Sequence, residues 1–466
     1  MTFTTKFQST ASTSRPKLSV IGLGKLGAPM VAVFAHKGFE VLGLDTNRDF
    51  VKALNEGRAP VQEPGLQELI DQNRERIAAT QDFHEAVHQT DVTFIIVPTP
   101  SGKDYFFTNR YVVDAIQRVG TALRGKTGYH LVVVTSTVMP GSTDGEIREA
   151  LENASGRSVG PKLGLCYNPE FIALGSVVRD MLHPDMILIG ESDPKAGQIL
   201  EDIYKSSTES NPEIHRMNCV NAELTKISVN TFVTTKISYA NMISEMCDHL
   251  PGADAHVVNR AVGADSRVGN KYLKSAVGYG GPCFPRDNKA FAALGRSLGA
   301  RCDLAEATDL INDHQLVRMM TAVETHLTEG GTVAVLGLSY KPHTGVVEAS
   351  HGVLLAERLA NAGYDVVVYD PLASNNAKAI LASSVDFAAS AEAAVHRADV
   401  VVVMTPSPEY AAIDGEEFMQ GNRQRVVIDP WNVISLESAA FAKQHIVPGV
   451  SPVIAATVNP RRRLAA

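Results

Sequence analysis

Residues 17–45, KLSVIGLGKLGAPMVAVFAHKGFEVLGLD, leave this chain few ways to fold. The apolar run Leu18–Ile21 enters a glycine turn, a helical segment follows, and a second apolar run, Glu40–Leu44, ends at Asp45. Strand, turn, helix and strand in that order make a βαβ unit, whose right-handed crossover requires parallel strands. Within the turn, Gly22, Gly24 and Gly27 form GxGxxG. The first glycine allows the tight turn, the second lets a pyrophosphate approach the backbone, and the third packs helix on strand. Leu23, Lys25 and Leu26 complete the phosphate loop. Asp45 stands where the adenosine ribose hydroxyls of a dinucleotide belong. An acid there selects NAD over NADP, whereas Arg48, close by, is the feature that would favour a 2′-phosphate.

The alternation continues. DVTFIIVPTP (91–100) and YHLVVVTSTV (129–138) read as further strands of the same sheet, each ending in small polar residues. Open parallel sheets bind ligands at the carboxyl ends of their strands, so Val97, Pro98, Thr99, Ser136 and Thr137 are candidate cofactor contacts. A second alternation starts near 331 with TVAVLGLSYKP and continues through GYDVVVYDP, ADVVVVMTP and RVVIDPWN. Its turn lacks GxGxxG, which fits a nucleotide fold without a second NAD site. Residues 221–252 between the halves predict one long helix, with Asn221 as N-cap, Glu223 in the first turn and Pro251-Gly252 as the stop. About 30 residues at 1.5 Å each make roughly 45 Å, a length suited to spanning domains or packing in a dimer. Lys226 and Asn230, four apart, share one face of it. The expected class is α/β, two doubly wound domains joined by a long central helix. The expected segments are a disordered tail 1–16, a cofactor domain 17–220, a central helical dimerisation domain 221–328 and a second nucleotide-type domain 329–466.

Composition narrows the partners. With a net charge of −8 and interspersed signs, nothing forms the basic stripe of a nucleic-acid binder. The one basic cluster, Arg461–Arg463, is expected to be a solvated tail. No apolar run approaches the ~20 residues of a membrane span, and residues 1–14 lack the apolar core of a secretory signal. Five cysteines, widely spaced and odd in number, build neither a disulfide framework nor a zinc site. The expectation is a cytoplasmic protein without metal. One of the five, Cys283, sits within VGYGGPCFPRD (277–287), among glycines and prolines rather than in an apolar run. That setting marks it as a candidate for thiol chemistry.

Nine segments together carry a resemblance: VIGLGKLG, APVQEPGL (59–66), IIVPTP, TSTVMPG, YNPEFIALGS (167–176), HPDMILIGE, AELTKISVN, RVGNKYLKSAVGYGGPCFPRD (267–287) and VLGLSYKPHT. In this order and at these separations, covering about Lys17 to Ile434, the chain resembles the UDP-glucose/GDP-mannose dehydrogenase family. The resemblance implies two Rossmann-like domains, NAD in the first, the nucleotide of a sugar in the second, and a homodimer or higher homo-oligomer built on the long helix. It implies a four-electron oxidation of a sugar C6 hydroxyl to a carboxylate. A cysteine thiolate holds the aldehyde as a thiohemiacetal, whose oxidation leaves a thioester for water to open. By position, Cys283 is the implied nucleophile, with glycine flanks that let sugar and nicotinamide reach it. Lys226 steadies the oxyanions, Asn230 is its companion, Asp287 orients water, Glu170 is the base for thioester hydrolysis, and Thr137 lies close to the reacting carbon. Glu170, Phe171, Ile172, Lys226 and Asn230 are implied at the sugar. Tyr272, Lys274 and Gly280 are implied at the diphosphate and uridine, and Tyr340 and Lys341 at sugar or phosphate. Arg267 is implied to reach a neighbouring subunit's sugar.

Three positions depart from the family pattern. Glu348 stands where an arginine commonly meets the NAD pyrophosphate, which leaves Arg286 to supply that charge. Leu174 replaces a glutamate, and Trp431 replaces the arginine of a motif that touches the sugar, which predicts a more tolerant sugar pocket. UDP-glucose is the first expectation for the substrate. Another UDP-hexose, a UDP-N-acetylhexosamine and GDP-mannose follow. A two-electron 3-hydroxyacid dehydrogenase or a non-catalytic nucleotide-binding protein would leave Cys283 without a use.

Overall fold

The computed structural model describes residues 15–381, 384–422 and 424–452. The tail 1–14 and the run Arg461–Arg463 lie outside the described residues. The chain divides into two compact units between Ser228 and Val229.

The first unit is built on eight strands: β1 (Leu18–Ile21), β2 (Val41–Leu44), β3 (Ile77–Thr80), β4 (Val92–Ile95), β5 (His130–Val134), β6 (Leu163–Tyr167), β7 (Met186–Glu191) and β8 (Glu213–Met217). Their order in the sheet is β3-β2-β1-β4-β5-β6-β7-β8. Strands β1 to β6 are mutually parallel, in the 3-2-1-4-5-6 order of a dinucleotide-binding sheet. β7 pairs antiparallel with β6 and parallel with β8. The central strands are near-continuous apolar runs because helices cover both faces. Leu18, Val20, Phe94, Leu131 and Val133 fill one layer, and Ile21, Ile95, Val132 and Val134 the other.

The second unit repeats the order. β9 (Thr332–Leu336), β10 (Asp365–Tyr369), β11 (Asp386–Phe387), β12 (Val400–Val403), β13 (Val426–Ile428) and β14 (Gln444–Ile446) form an all-parallel sheet, β11-β10-β9-β12-β13-β14. The turn after β9 repeats the turn after β1. Gly22 and Gly337 both have φ of 99°, and their N–H groups donate to Leu44 O and Tyr369 O, each at 2.8 Å. A Cβ on Gly27 would lie 1.7 Å from Gly22 O, and one on Gly352 would lie 2.0 Å from Gly337 O. The helix-packing glycine is therefore present in both halves, but the second turn is lengthened by the SYKPHTGVVEAS segment.

A single helix, Cys219–Asp248, crosses the division between the units. It starts earlier than expected. Asn218, and not Asn221, is the cap: Asn218 Oδ1 accepts from Asn221 N at 3.0 Å. Asn218 directly follows β8, so the chain turns into helix at once and Glu223 falls beyond the first turn. Pro251-Gly252 follows the helix end as expected, with Gly252 at φ 80°. Among the described residues, no helix is long and apolar enough to cross a membrane, and no cluster of His, Cys, Asp and Glu is arranged to hold a metal ion.

Candidate active site

The carboxyl edge of the first sheet opens a cleft of about 540 Å³. Of the residues expected at the cofactor, Gly22, Gly24, Lys25, Leu26, Gly27, Asp45, Val97 and Pro98 line it. The three glycines do separate jobs. A Cβ on Gly22 would lie 2.2 Å from Ile96 O, so the first and third glycines serve close packing within the protein. Gly24 has no other atom within 4 Å of its Cβ position and faces open space at the cleft wall. That is the opening a pyrophosphate needs. Asp45 is half-buried, with Oδ2 accepting from Leu23 N and Oδ1 from Asn47 N, both at 2.7 Å. Two N–H donors orient the carboxylate and leave lone pairs for a ribose diol. The residues present fit a dinucleotide.

The other expected cofactor residues do not line the cleft. Leu23 is buried beneath the turn and contributes its backbone N–H. Arg48 is exposed at the start of the helix Arg48–Asn55. Ser136 Oγ donates to Val97 O at 2.7 Å and accepts from Val97 N at 2.8 Å, and Thr99 Oγ1 donates to Thr137 O at 2.7 Å. These hydroxyls lock the loops after β4 and β5 together. The sequence reading missed Thr46, Phe50, Phe83, Tyr111, Asp114 and Ala115, which complete the cleft.

Beside these loops, Lys226 donates from Nζ to the backbone carbonyl of Glu170 at 2.6 Å and lies 4.5 Å over the Phe171 ring. The partly buried Glu170 carboxylate accepts from Tyr204 OH at 3.2 Å. Burial pushes its pKa up to about 7, against the opposing pull of Tyr204 and Lys226. Ile172 packs into the core of the first unit, as does Leu174. Two glutamates outside the expected set clamp the neighbouring loops. Glu63, in the APVQEPGL segment, accepts from Gly175 N at 3.1 Å and Val177 N at 2.8 Å. Glu223 accepts from Gly141 N at 2.6 Å and Thr143 N at 2.7 Å.

All five cysteines of the chain are thiols, and in the second unit Cys283 is exposed at the N-cap of the helix Phe284–Ser297. A helix start favours negative charge, here on sulfur or on an oxyanion formed beside it. One turn in, Asp287 is 1 % exposed. Its carboxylate accepts from Asn230 Nδ2 at 2.6 Å and from Arg286 Nε and Nη2, both at 3.0 Å. Arg286, expected to meet a pyrophosphate, is thus engaged by Asp287.

The glycines before the thiol also serve close packing within the protein. A Cβ on Gly278 would lie 2.2 Å from His351 Nε2, one on Gly280 would lie 2.3 Å from Ala349 O, and one on Gly281 would lie 2.4 Å from the Tyr340 ring. They let the cysteine loop pack closely against residues 340–351. Ala349 adopts φ 48° and Tyr272 φ 63°, left-handed values costly for residues with a Cβ. Tyr340, whose phenol is raised to about 12 by burial with smaller contributions from Cys283 and Tyr272, forms the wall there. Tyr272 meets Phe284 edge-on at 6.2 Å between ring centroids. Lys341 Nζ lies 5.9 Å from the Tyr340 ring centroid. Lys274 Nζ lies 5.6 Å from the Trp431 ring centroid, while the indole N–H donates to Met404 O at 3.0 Å. Arg267 is exposed and pairs with Asp265 of its own chain at 2.7 Å.

The second unit's acid at the equivalent of Asp45 is Asp370. It accepts from Leu338 N, Ser339 N, Ser339 Oγ, Leu372 N and Ala373 N, all within 3.0 Å. Five donors saturate its lone pairs. Asp370 has none left for a ribose, so the second turn is not built as a dinucleotide site.

Comparison with known proteins agrees with this division. Residues 16–208, 220–314 and 334–436 match, in turn, the NAD binding domain, the central domain and the UDP binding domain of the UDP-glucose/GDP-mannose dehydrogenase family. The chain is 38% identical over 423 residues to UDP-glucose 6-dehydrogenase AglM of Haloferax volcanii, covering 90% of this chain and 97% of that one. It is 33% identical over 358 residues to the GDP-mannose 6-dehydrogenase of Pseudomonas putida, covering 76% of this chain and 80% of that one. The structure of a UDP-glucose dehydrogenase from Pyrobaculum islandicum superposes with a TM-score of 0.85 at 35% identity, over 96% of this chain and 100% of that one.

Proposed function

The chain belongs to the UDP-glucose/GDP-mannose dehydrogenase family, and from that premise we propose that it oxidises UDP-glucose to UDP-glucuronate at C6, using two NAD per sugar. The observation that carries this reading is the exposed Cys283 thiol, at a helix start and one turn from the buried Asp287. A two-electron dehydrogenase has no use for such a thiol. UDP-glucose is the preferred sugar because the 38% identical UDP-glucose 6-dehydrogenase covers 90% of the chain, against 76% for the GDP-mannose relative.

NAD bound in the cleft of the first unit supplies the hydride acceptor for both oxidations. The glycine turn would cradle its pyrophosphate and Asp45 would take the ribose diol. In the first oxidation C6 gives up a hydride, and its hydroxyl proton passes to a water aligned by Asp287. Cys283 then adds through sulfur to the aldehyde carbon, and Lys226 and Asn230 stabilise the oxyanion. Loss of a second hydride from that carbon leaves a thioester. Glu170, its pKa near 7, takes a proton from water as the water adds to the thioester. The C–S bond breaks and the thiolate of Cys283 returns. Across the cycle one water is consumed and four electrons leave as two hydrides.

The same reading assigns 17–220 to NAD, 221–328 to the central domain and 329–466 to the nucleotide sugar, with Tyr272, Lys274, Gly280, Tyr340, Lys341 and Trp431 on the sugar nucleotide. It makes the protein a cytoplasmic homodimer in which Arg267 serves the neighbouring subunit. Exposed Phe232, Tyr239 and Met246 support that assembly, since they recur every seven residues along the long helix and form one apolar stripe. The test is a panel of nucleotide sugars incubated with NAD. Two NADH per UDP-glucose are expected from the wild type. Cys283→Ser is expected to bind UDP-glucose yet fail to complete turnover, and two NADH per sugar at wild-type rate from that variant would overturn the covalent mechanism.

A further inference from the structure

Glu223 is a buried acid that the reaction above leaves without a task. It is fully buried on the long helix, and its two carboxylate oxygens are divided between two backbone donors, Gly141 N at 2.6 Å and Thr143 N at 2.7 Å. Those donors belong to the loop that follows Thr137 at the carboxyl end of β5. One helical turn on, Lys226 donates to Glu170 O in the loop that follows β6, at 2.6 Å. Residues three apart on a helix are neighbours on one face. A single turn of helix therefore grips the ends of two adjacent strands, one through an acid that accepts and the other through an amine that donates.

We propose that Glu223 is a positioning residue, which fixes the Thr137 loop relative to the helical turn that carries Lys226. The proposal rests on the dehydrogenase reading above. The physical reason lies in the donor geometry. A carboxylate accepts from both N–H groups at once, and bonds to an ionised acceptor are short and strong. Burial pushes the Glu223 carboxyl upward, and hydrogen bonds from Thr143 and Gly141 pull it back down. Gly141 adopts φ 94°, a conformation that glycine holds without strain, and its N–H points at the acid. Beyond the clamp, Thr99 bonds the Thr137 carbonyl and Ser136 brackets Val97. These bonds anchor Val97 and Thr99 to the loop after β5 by contacts of their own, so the cleft residue Val97 keeps its anchor when the 141–143 turn shifts.

Glu223→Gln tests this with an isosteric side chain. An amide offers one accepting oxygen and one NH2, so one backbone N–H would face another donor. A misplacement of about 1 Å near the chemistry can cost about a hundredfold in rate. The expected result is a kcat ten- to a hundredfold lower, again about the size that such a misplacement allows, with the KM for NAD changed less than about twofold. The NAD cleft is lined by residues Glu223 does not touch. Asn73→Ala serves as the control for stability alone, since Asn73 is buried and bonds Leu69 O away from these loops. If Asn73→Ala, at an equal fall in Tm, lowers kcat as much, the proposal is overturned. An unchanged kcat in Glu223→Gln, with an active wild type, overturns the proposal and leaves the dehydrogenase reading standing. A wild type inactive with every nucleotide sugar overturns both. Should the glutamine variant fail to fold, Glu223→Asp keeps the charge but reaches only one donor. An intermediate loss of kcat supports the proposal, and wild-type kcat overturns it.

Discussion

Asn230 donates from Nδ2 to the carboxylate of Asp287 at 2.6 Å, joining the long helix to the first turn of the helix that begins at Cys283. The acceptor is almost completely buried, and Arg286 occupies its other oxygen. Removing the amide in Asn230→Ala leaves a buried carboxylate one donor short. A hydrogen bond to a charged group is worth about 1.5–3 kcal/mol, so a stability loss of that size is expected in guanidinium unfolding. Turnover is expected to fall more than binding, because the proposed mechanism uses both partners after the sugar is bound. Wild-type stability in Asn230→Ala would show that water replaces the amide.

The pH dependence follows from Glu170. Its pKa is raised to about 7 by burial, and in the proposed role of base it would work in the deprotonated form. Thioester hydrolysis is therefore expected to quicken as pH rises through about 7, and Glu170→Gln should remove that limb and accumulate acyl-enzyme, detectable by mass. For stability the sign is opposite. An acid whose folded pKa lies above its unfolded value holds more protons when folded, so this contribution is present at low pH. It is lost as pH climbs from the unfolded value through about 7. Glu170→Gln should flatten that part of the stability profile, measured as Tm against pH.

At the cofactor, Asp45 sets up a comparison between two nucleotides. Its carboxylate is oriented by Leu23 N and Asn47 N, and a 2′-phosphate would bring like charge against it. NAD is expected to exceed NADP by at least about a hundredfold in kcat/KM, some 2.7 kcal/mol. Asp45→Asn should lower that ratio, chiefly by losing NAD. Equal use of both by the wild type would hand this corner to Arg48.

Much of this was legible in the sequence because the signals are local. A glycine turn between apolar runs specifies a βαβ unit wherever it occurs, and a cysteine among glycines and prolines stands out from a core cysteine. What escaped depends on contacts between distant segments. Phe83 and Tyr111 carry no local mark of a binding site, and only their helices bring them to one cleft. Nothing local in the sequence marks Glu63 or Glu223 as a clamp, since each finds two backbone donors more than 75 positions away in the chain. Asp45 and Asp370 look alike as strand-end acids. Only the donor count separates an acid with lone pairs to offer from one already saturated. The reversal at β7 carries no sequence mark, since its apolar run serves either direction equally well.

The proposed assembly would rest on the stripe of Phe232, Tyr239 and Met246. Phe232 is 63% exposed, a large apolar surface for a single chain to leave in water. Phe232→Glu is expected to shift the protein toward monomers in analytical ultracentrifugation. If Arg267 serves a neighbour's sugar, mixing Cys283→Ser with Arg267→Ala chains restores activity, since one site per mixed dimer regains both residues. No recovery from verified mixed dimers would keep Arg267 within its own chain, where it already pairs with Asp265.

Trp431 joins two roles that its neighbours would otherwise keep apart. Its ring packs against both core layers of the second sheet, and its N–H is used on Met404 O at 3.0 Å. Its face also lies 5.6 Å from Lys274 Nζ, in the segment proposed to hold the diphosphate. An apolar wall selects between sugars weakly, so the wild type is expected to accept a second UDP-sugar within about a hundredfold of UDP-glucose in kcat/KM. Trp431→Phe keeps a ring under Lys274 but leaves the Met404 carbonyl without its donor, at about 1–3 kcal/mol of stability. An exposed cation–π contact is worth about 0.5–1 kcal/mol, so the KM for UDP-glucose should rise by less than about fivefold in this variant. Trp431→Arg does something different. It sets a second cation beside Lys274 and buries it in a packed layer, so Tm should fall further than in Trp431→Phe. A Trp431→Arg protein that is as stable as the wild type and narrower in sugar choice would mean that the indole faces the sugar and contributes little to the core.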